Sequence, residues 1–250
     1  MATTKTLSKY QPAPLVRAYL LHSRPYRESS LLLDLLTEQH GRIAAVVRIG
    51  GKAGTAKRAQ LQPFRPLLVG LSGHSTLRTL AQLEAPTMPL PLSGTALYSG
   101  LYVNELCQRL LPEWQTDEAL FEQYQQCLMG LAAEINVEAN LRYLELALLQ
   151  HLGQLPPLVY DADSEPLQPS CHYRWRTGQG FIATAQPSVD AVSGAMLLAW
   201  RDQQLADIEH LRQGKRLVRE LLKPLLGSKP LHSRTLFLRQ RGTDEHTSGR

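Results

Sequence analysis

Residues 29–48 read SSLLLDLLTEQHGRIAAVVR and contain two short apolar runs, Ser29 to Thr37 and Arg42 to Arg48, separated by a turn at Gly41. Short runs rich in Leu, Val and Ile are typical of β-strands. Three more runs of this kind lie around them, at residues 15–22, 64–70 and 76–84. Five strands within about 70 residues predict a small OB-type barrel over residues 1–84.

The longest connection in this front part runs from Ile49 to Leu61 and reads IGGKAGTAKRAQL. It is rich in Gly and basic residues and offers few side chains that could pack against a barrel. We therefore predict a mobile basic loop here.

Beyond Pro86, Pro89 and Pro91 the apolar spacing changes from the period of a strand to that of a helix. The first predicted helix has Tyr98, Leu101, Tyr102, Leu106 and Leu110 on its inner face. A second helix follows Thr116 as its N-cap, and a third runs from about Glu138 to Leu152. The fold class predicted is therefore α+β, with an N-terminal barrel followed by a helical bundle.

The bundle is interrupted by a segment rich in Pro and Gly. Residues 154–187 show no helical period and are predicted to be an irregular insertion, so that residues 85–153 and 188–238 form the helical domain. Helices are expected to resume near Ser188 to Trp200 and from Lys215 onward, the latter ending at Gly227. The polar residues 239–250 are predicted to be a disordered tail.

Charge is distributed unevenly along the chain. Residues 1–80 carry 12 Lys or Arg against 3 acids, residues 81–170 carry 2 against 12, and residues 171–250 carry 13 against 7. A strongly basic, strand-rich module predicts a surface for a polyanion such as DNA, with salt-sensitive binding. The alternative is an ordinary solvated barrel surface. The candidate DNA-binding residues are Arg24, Tyr26, Arg27, Arg42, Arg48, Lys52, Lys57 and Arg58.

Tyr26 is the aromatic residue most suited to a nucleic-acid face, because it lies between Arg24 and Arg27. Packing of Tyr26 against the barrel is an equal alternative.

The sequence argues against catalysis and against a metal or cofactor. Cys171-His172 has no second ligand pair, Gly50-Gly51-Lys52 lacks phosphate-loop spacing, and no carboxylate cluster or Ser-His triad is evident. Three cysteines far apart in sequence do not make a disulfide framework, and Cys107 and Cys127, in helical apolar patterns, are expected to be buried free thiols. With neither a signal-peptide pattern nor an apolar stretch long enough for a bilayer, we expect a cytoplasmic protein without a membrane partner.

Arg142 is one of only two cations among residues 81–170. A cation beside apolar side chains could bind a terminal carboxylate while a groove takes an aromatic side chain. Spacing favours the alternative, an intramolecular ion pair with Glu138 or Glu145.

Several motifs resemble a known family. They are LHSRPYRESSLLLDLLT at residues 21–37, HGR at 40–42, LQPF at 61–64, LRYLELALL at 141–149 with HLG at 151–153, and LGSKPLHSR at 226–234. Together they resemble the RecO family of bacterial DNA repair proteins, in the expected order over about residues 12–238. The resemblance implies an OB barrel, a helical body and, in many members, a four-cysteine zinc ribbon. That ribbon would fall in residues 155–185, where only Cys171 remains, so a zinc-free member is expected.

The resemblance also implies a function without catalytic chemistry. Such a mediator binds single- and double-stranded DNA, anneals complementary strands, and engages the acidic C-terminal tail of single-stranded DNA-binding protein. With RecR it helps RecA replace that protein on DNA, in the cytoplasm at the nucleoid. Because that tail ends in acidic residues and a Phe carboxylate, the resemblance makes Arg142 the leading candidate for its binding. The alternative function is a non-annealing scaffold that recruits repair proteins to DNA.

Overall fold

The computed structural model describes residues 14–185 and 187–236, and the predicted tail at 239–250 lies outside these ranges. The chain divides into two compact units, which meet in sequence between Pro89 and Leu90. Among the residues described, no helix has both the length and the apolar character needed to cross a membrane.

The first unit is a closed five-stranded barrel, as predicted from the apolar runs. Its strands are β1 (Leu15–Tyr26), β2 (Ser30–Thr37), β3 (Gly41–Arg48), β4 (Leu67–Ser72) and β5 (Leu77–Glu84). Their order is β1-β2-β3-β5-β4, with β3 and β5 parallel and the other neighbours antiparallel. Alternate side chains of β2 and β3 fill the interior, where Leu33, Leu35, Ile43, Ala45 and Val47 are fully buried.

The prediction of a mobile loop between Ile49 and Leu61 was wrong, because helix α1 spans Gly51–Gln60. The segment contains Ala, Lys, Arg and Gln, which favour helix, and these outweigh the glycines at its start. Gly54 is its one buried residue. A Cβ at Gly54 would overlap the Ile49 carbonyl, so this glycine permits a close approach of the helix to the end of β3.

The long helices of the second unit are α2 (Gly94–Leu110), α3 (Glu118–Ala132), α4 (Val137–His151), α5 (Gly194–Arg201) and α6 (Ile208–Leu226). Asp117, rather than the predicted Thr116, caps α3 by accepting a hydrogen bond from the Leu120 N–H at 2.9 Å. Asp207 caps α6 in the same way, so this helix begins well before the predicted Lys215. It ends at Gly227 as expected.

The predicted inner face of α2 was largely wrong. Of the five residues assigned to it only Leu106 is fully buried, whereas Val103, Asn104 and Cys107 lie in the core. The Tyr124 hydroxyl donates to Asn104 Oδ1 at 2.6 Å, which makes this polar side chain compatible with burial. The buried residues Ala96, Ser99 and Gly100 of α2 are small, so the spacing of large apolar side chains does not reveal them. Tyr98 and Tyr102, which that spacing favoured, are partly exposed.

The segment predicted to be irregular contains a regular antiparallel sheet. Strands β6 (His172–Arg176), β7 (Gly180–Thr184) and β8 (Ala191–Ser193) pair in the order β7-β6-β8. Tyr173 and Phe181 are buried, and the Trp175 ring meets the Phe181 ring edge-on at 5.0 Å. Because β8 occupies residues 191–193, α5 starts at Gly194 rather than near Ser188.

Gly54→Ala tests the close approach of α1 to β3. In a free helix this change is stabilising by about 1 kcal/mol. Here we expect a loss of about 1–3 kcal/mol in the free energy of unfolding, because the new methyl group overlaps backbone. Urea denaturation measures it, with the exposed Ala56→Gly as the matched control, expected to cost about 1 kcal/mol. A more stable Gly54→Ala protein would contradict the packing.

Candidate nucleic-acid face and peptide pocket

The β1–β2 hairpin carries the first group of candidate DNA-binding residues. The register of the β1–β2 pairing shifts between Leu20 and His22. The two strands stay paired beyond this point, up to the pair Tyr26–Ser30, and the side chains of residues 22–25 are exposed. Arg27 adopts a left-handed conformation with φ 53°, and its guanidinium lies 5.3 Å from the centroid of the Tyr26 ring. Tyr26 is only partly buried, so the hairpin tip, residues 24–29, presents an aromatic ring between two arginines.

Strand register brings Arg48 to the same end of the barrel as the hairpin tip. Ser30 is paired with Tyr26 on β1 and with Arg48 on β3. The Ile49 N–H then donates to the Ser29 carbonyl at 2.8 Å, so α1 starts beside the tip. The structure thus gathers Arg24, Tyr26, Arg27, Arg48 and Lys52 at one end of the barrel.

The three cations of α1 differ in what they do for the helix. Lys57 and Arg58 lie in its last turn, where positive charge is stabilised by the carbonyl end of the helix. Lys52 lies in the first turn, which has no acidic residue, and there a cation opposes the helix dipole. Helix stability therefore does not explain Lys52.

Arg42 is not part of this group. Its guanidinium lies 3.1 Å from Asp34, and both side chains are largely buried. It is six residues from Arg48 along β3, about 20 Å in a strand. Arg17 is similarly paired with Glu38 at 2.9 Å. Asp34 and Glu38, two acids of the barrel, are therefore paired away from the hairpin tip.

A separate cavity of about 370 Å³ opens within the helical unit. It is lined by α2, α4, α6 and the residues that follow α6. Its apolar part is formed by Val137, Leu141 and Val218, with the rings of Tyr98 and Tyr102. Four cations also line it, namely Arg142, Lys215, Arg219 and Arg234. An apolar cavity with several cations is suited to a ligand that combines an aromatic group with negative charge.

Arg142 forms the buried ion pair that spacing favoured. Its Nε and Nη2 atoms lie 2.5 and 2.7 Å from the two carboxylate oxygens of Glu145. The Tyr102 hydroxyl donates to the same carboxylate at 2.7 Å. Burial raises the pKa of Glu145 and the neighbouring guanidinium opposes the rise, while burial and Glu145 together raise the pKa of Tyr102 well above its usual value.

Three of the pocket cations were not anticipated as site residues. Lys215 and Arg219 come from α6, and Arg234 follows that helix. Arg212, Arg216, Arg219 and Lys223 recur at helical spacing, which is a usable signal, but sequence spacing alone does not reveal that α6 packs against α4. Lys215 is paired with Glu138 at 2.9 Å, with both side chains about half exposed.

The segment after α6 is held in place by two residues of α2. Glu105 accepts hydrogen bonds from the N–H groups of His232 and Ser233, each at 2.9 Å, and from the Ser233 hydroxyl at 2.8 Å. Arg109 donates to the carbonyls of Leu226 and Lys229, each at 2.8 Å. These bonds fix Ser233 and Arg234 at the pocket.

The residues at the position of the family's zinc ribbon do not fit a zinc ion. Zinc requires about four Cys, His or carboxylate ligands. Over residues 14–185 and 187–236 no group of three or more such side chains is placed to hold a metal. An edge-on contact between the Trp175 ring and the buried Phe181 ring joins β6 and β7 instead.

Comparison with known proteins agrees with the family suggested by the sequence motifs. Residues 15–87 match the family described as Recombination protein O N terminal, and residues 91–235 match Recombination protein O C terminal. The chain is 45% identical over 223 residues to DNA repair protein RecO of Serratia proteamaculans, which covers 88% of this chain and 92% of the relative. Identity to DNA repair protein RecO of Haemophilus influenzae is 44% over 224 residues, with 89% and 95% covered.

Glu145→Gln tests the buried pair. The substitution leaves the Arg142 guanidinium buried without a counter-charge, and we expect a loss of about 3–5 kcal/mol in the free energy of unfolding. Glu138→Gln removes an exposed pair with Lys215 and should cost less than about 1 kcal/mol. Urea denaturation of both variants gives the comparison. Equal losses would show that the Arg142–Glu145 pair is not specially stabilising.

A chelator should leave this protein unaffected, because its residues do not complete a zinc shell. We expect the same melting temperature and the same affinity for DNA before and after dialysis against EDTA. Elemental analysis that found stoichiometric zinc in the purified protein would contradict this.

Proposed function

The chain belongs to the RecO family of DNA repair proteins, and from this we propose that it is a recombination mediator that binds single- and double-stranded DNA and anneals complementary strands. The observation that carries the proposal is the cationic end of the barrel, where Arg24, Arg27, Arg48 and Lys52 lie at the same end as the partly exposed Tyr26 ring. Arg42 is a weaker candidate because it lies about 20 Å from Arg48 along β3, away from this end of the barrel.

The chemistry of this end suits binding without base readout. Guanidinium and ammonium groups bind phosphates of either strand form, and a tyrosine ring stacks on any base. Strands bound through their backbones keep their hydrogen-bonding base edges free. When the cations neutralise the phosphates, the two strands also repel each other less. Both effects favour pairing of complementary strands, which is the physical basis of annealing.

The pocket of the helical unit is proposed to bind the acidic C-terminal tail of single-stranded DNA-binding protein. The terminal Phe ring would enter the apolar part beside Leu141 and Val218, and its carboxylate would meet Arg142. The exposed cations Lys215, Arg219 and Arg234 would take the acidic side chains of the tail. A cavity of about 370 Å³ lies within the usual range for bound ligands, roughly 300–1,000 Å³.

Cooperation with RecR and the exchange of single-stranded DNA-binding protein for RecA are proposed from family membership. No catalytic step is assigned to this chain. Burial raises the pKa of the Cys107 thiol to about 12, and it raises that of Cys127 as well, so both thiols are poor nucleophiles.

Joint substitution of Arg48, Lys52, Lys57 and Arg58 by Ala should weaken DNA binding. If each cation contacts a phosphate, the slope of log affinity against log salt should fall by about 0.7–0.9 per residue. Fluorescence anisotropy of labelled DNA over a salt series measures this. The charge-conserving set Arg48→Lys, Lys52→Arg, Lys57→Arg and Arg58→Lys is the control and should bind nearly as the wild type does. Wild-type affinity and slope in the Ala variant would exclude these residues.

Arg142 is tested together with its partner, because Arg142→Ala alone would leave Glu145 buried and unpaired. The double variant Arg142→Met/Glu145→Met fills the space with apolar atoms, which is often tolerated. We expect its affinity for an acidic peptide ending in Phe to fall about 5- to 150-fold, corresponding to about 1–3 kcal/mol for a charge-assisted contact.

DNA affinity serves as the folding control for this double variant and should stay at the wild-type value. Unchanged peptide affinity would remove Arg142 from the pocket's binding residues. Parallel loss of peptide and DNA binding would indicate a misfolded protein.

A further inference from the structure

Helix α6 carries five cations on one side. Arg212, Lys215, Arg216, Arg219 and Lys223 fall within an arc of about 100° around the helix axis, at 3.6 residues per turn. The opposite side holds Gly214, Leu217, Val218, Leu221 and Leu222, all of which are buried. We call the five cations the α6 arc.

The acids of the protein leave much of the α6 arc uncompensated. Lys215 pairs with Glu138, and Arg212 lies 3.6 Å from Glu209 in an exposed pair. Within the part of the chain that the structure describes, Arg219 and Lys223 form no salt bridge, and both are exposed. Residues 212–234 contain seven Lys or Arg and a single acid, Glu220. The preceding residues 90–211 hold 15 acids against 5 cations, so the positive charge is concentrated here.

The dimensions of the α6 arc match a nucleic-acid backbone. Arg212 to Lys223 spans about 16 Å along the helix axis. One strand of B-form DNA carries a phosphate about every 3.4 Å, so the arc faces about five of them. The exposed side chains between Arg212 and Lys223 are all charged. A protein partner of comparable size usually needs apolar anchors, which the pocket has and the α6 arc lacks.

We propose that the α6 arc is a second DNA-backbone contact of this protein, and that it shares Lys215 and Arg219 with the peptide pocket. These two residues belong to the arc and also line the cavity. DNA on the arc and an acidic peptide in the pocket would therefore draw on the same cations. An acidic peptide in the pocket therefore weakens DNA binding by the helical unit and leaves DNA binding by the barrel unchanged. This competition rests on the proposed function of the pocket, whereas the DNA contact itself does not.

The contact is tested in the full chain with Arg212→Ala/Lys223→Ala, which removes two cations of the arc that do not line the pocket. We expect DNA affinity to fall roughly tenfold at 0.1 M salt and the salt slope to fall by about 1.4–1.8. The control Arg176→Ala/Arg201→Ala removes equal charge from β6 and α5 of the same unit, outside α6, and should leave both values unchanged. Wild-type affinity and slope in the arc variant would overturn the proposal.

The sharing is tested by adding a synthetic acidic peptide ending in a free Phe carboxylate. At saturation it should lower the wild-type DNA affinity toward that of the arc variant. A peptide of equal charge without the terminal Phe is the control and should have no effect. An unchanged DNA affinity in the presence of bound peptide would overturn the sharing of Lys215 and Arg219.

Peptide binding is measured directly with a fluorescent label in the same samples. Failure of the peptide to bind would refute the proposed pocket and with it the competition. The Arg212→Ala/Lys223→Ala variant alone would then decide whether the α6 arc contacts DNA. Loss of DNA binding in the arc variant with retained peptide affinity is the combination that supports the proposal.

Discussion

The two residues of the buried Arg142–Glu145 ion pair contact three other helices of the helical unit. Both residues belong to α4, and the Tyr102 hydroxyl of α2 donates to the carboxylate. The Trp200 indole N–H of α5 donates to the Arg142 carbonyl at 2.7 Å, and Gly214 of α6 lies against the Arg142 side chain, where a Cβ would come within 3.5 Å of Cδ. The two residues thus contact three other helices, through the Glu145 carboxylate, the Arg142 backbone carbonyl and the Arg142 side chain. The same packing forms the cavity and places the cations of α6 beside it.

In the barrel, the strand register of the closed sheet determines which residues lie at the same end. Register pairs Tyr26 with Ser30 and Ser30 with Arg48, and the short link to α1 adds Lys52. Cations 24 residues apart in sequence, such as Arg24 and Arg48, come to one end because the strands are antiparallel neighbours of β2. The acids Asp34 and Glu38 are paired elsewhere on the sheet, so they do not neutralise this end. Each unit therefore has its own cationic surface.

Much of the fold follows from local sequence patterns. The five strands and the main helices were predictable, because apolar side chains recur at strand or helix spacing over each of them. The predictions failed where the structure depends on something other than the spacing of apolar side chains. Helix α1 depends on the close approach at Gly54, α2 buries the polar Asn104 through its bond to Tyr124, and the β6–β7–β8 sheet lies in a segment rich in Pro and Gly. The pairing of Arg142 with Glu145 was predictable from helical spacing, whereas the contribution of Lys215, Arg219 and Arg234 to the pocket required tertiary structure.

We propose that a DNA surface and a pocket for an acidic tail act together in one annealing mediator. The decisive measurement is the annealing rate of complementary strands coated with single-stranded DNA-binding protein, with the coat protein either intact or lacking its acidic C-terminal tail. We expect this protein to accelerate annealing of bare strands and of strands coated with the intact protein, and deletion of the tail to abolish the acceleration on coated strands only. Binding to both coats without acceleration on any substrate would contradict it and would favour a scaffold that only recruits repair proteins to DNA.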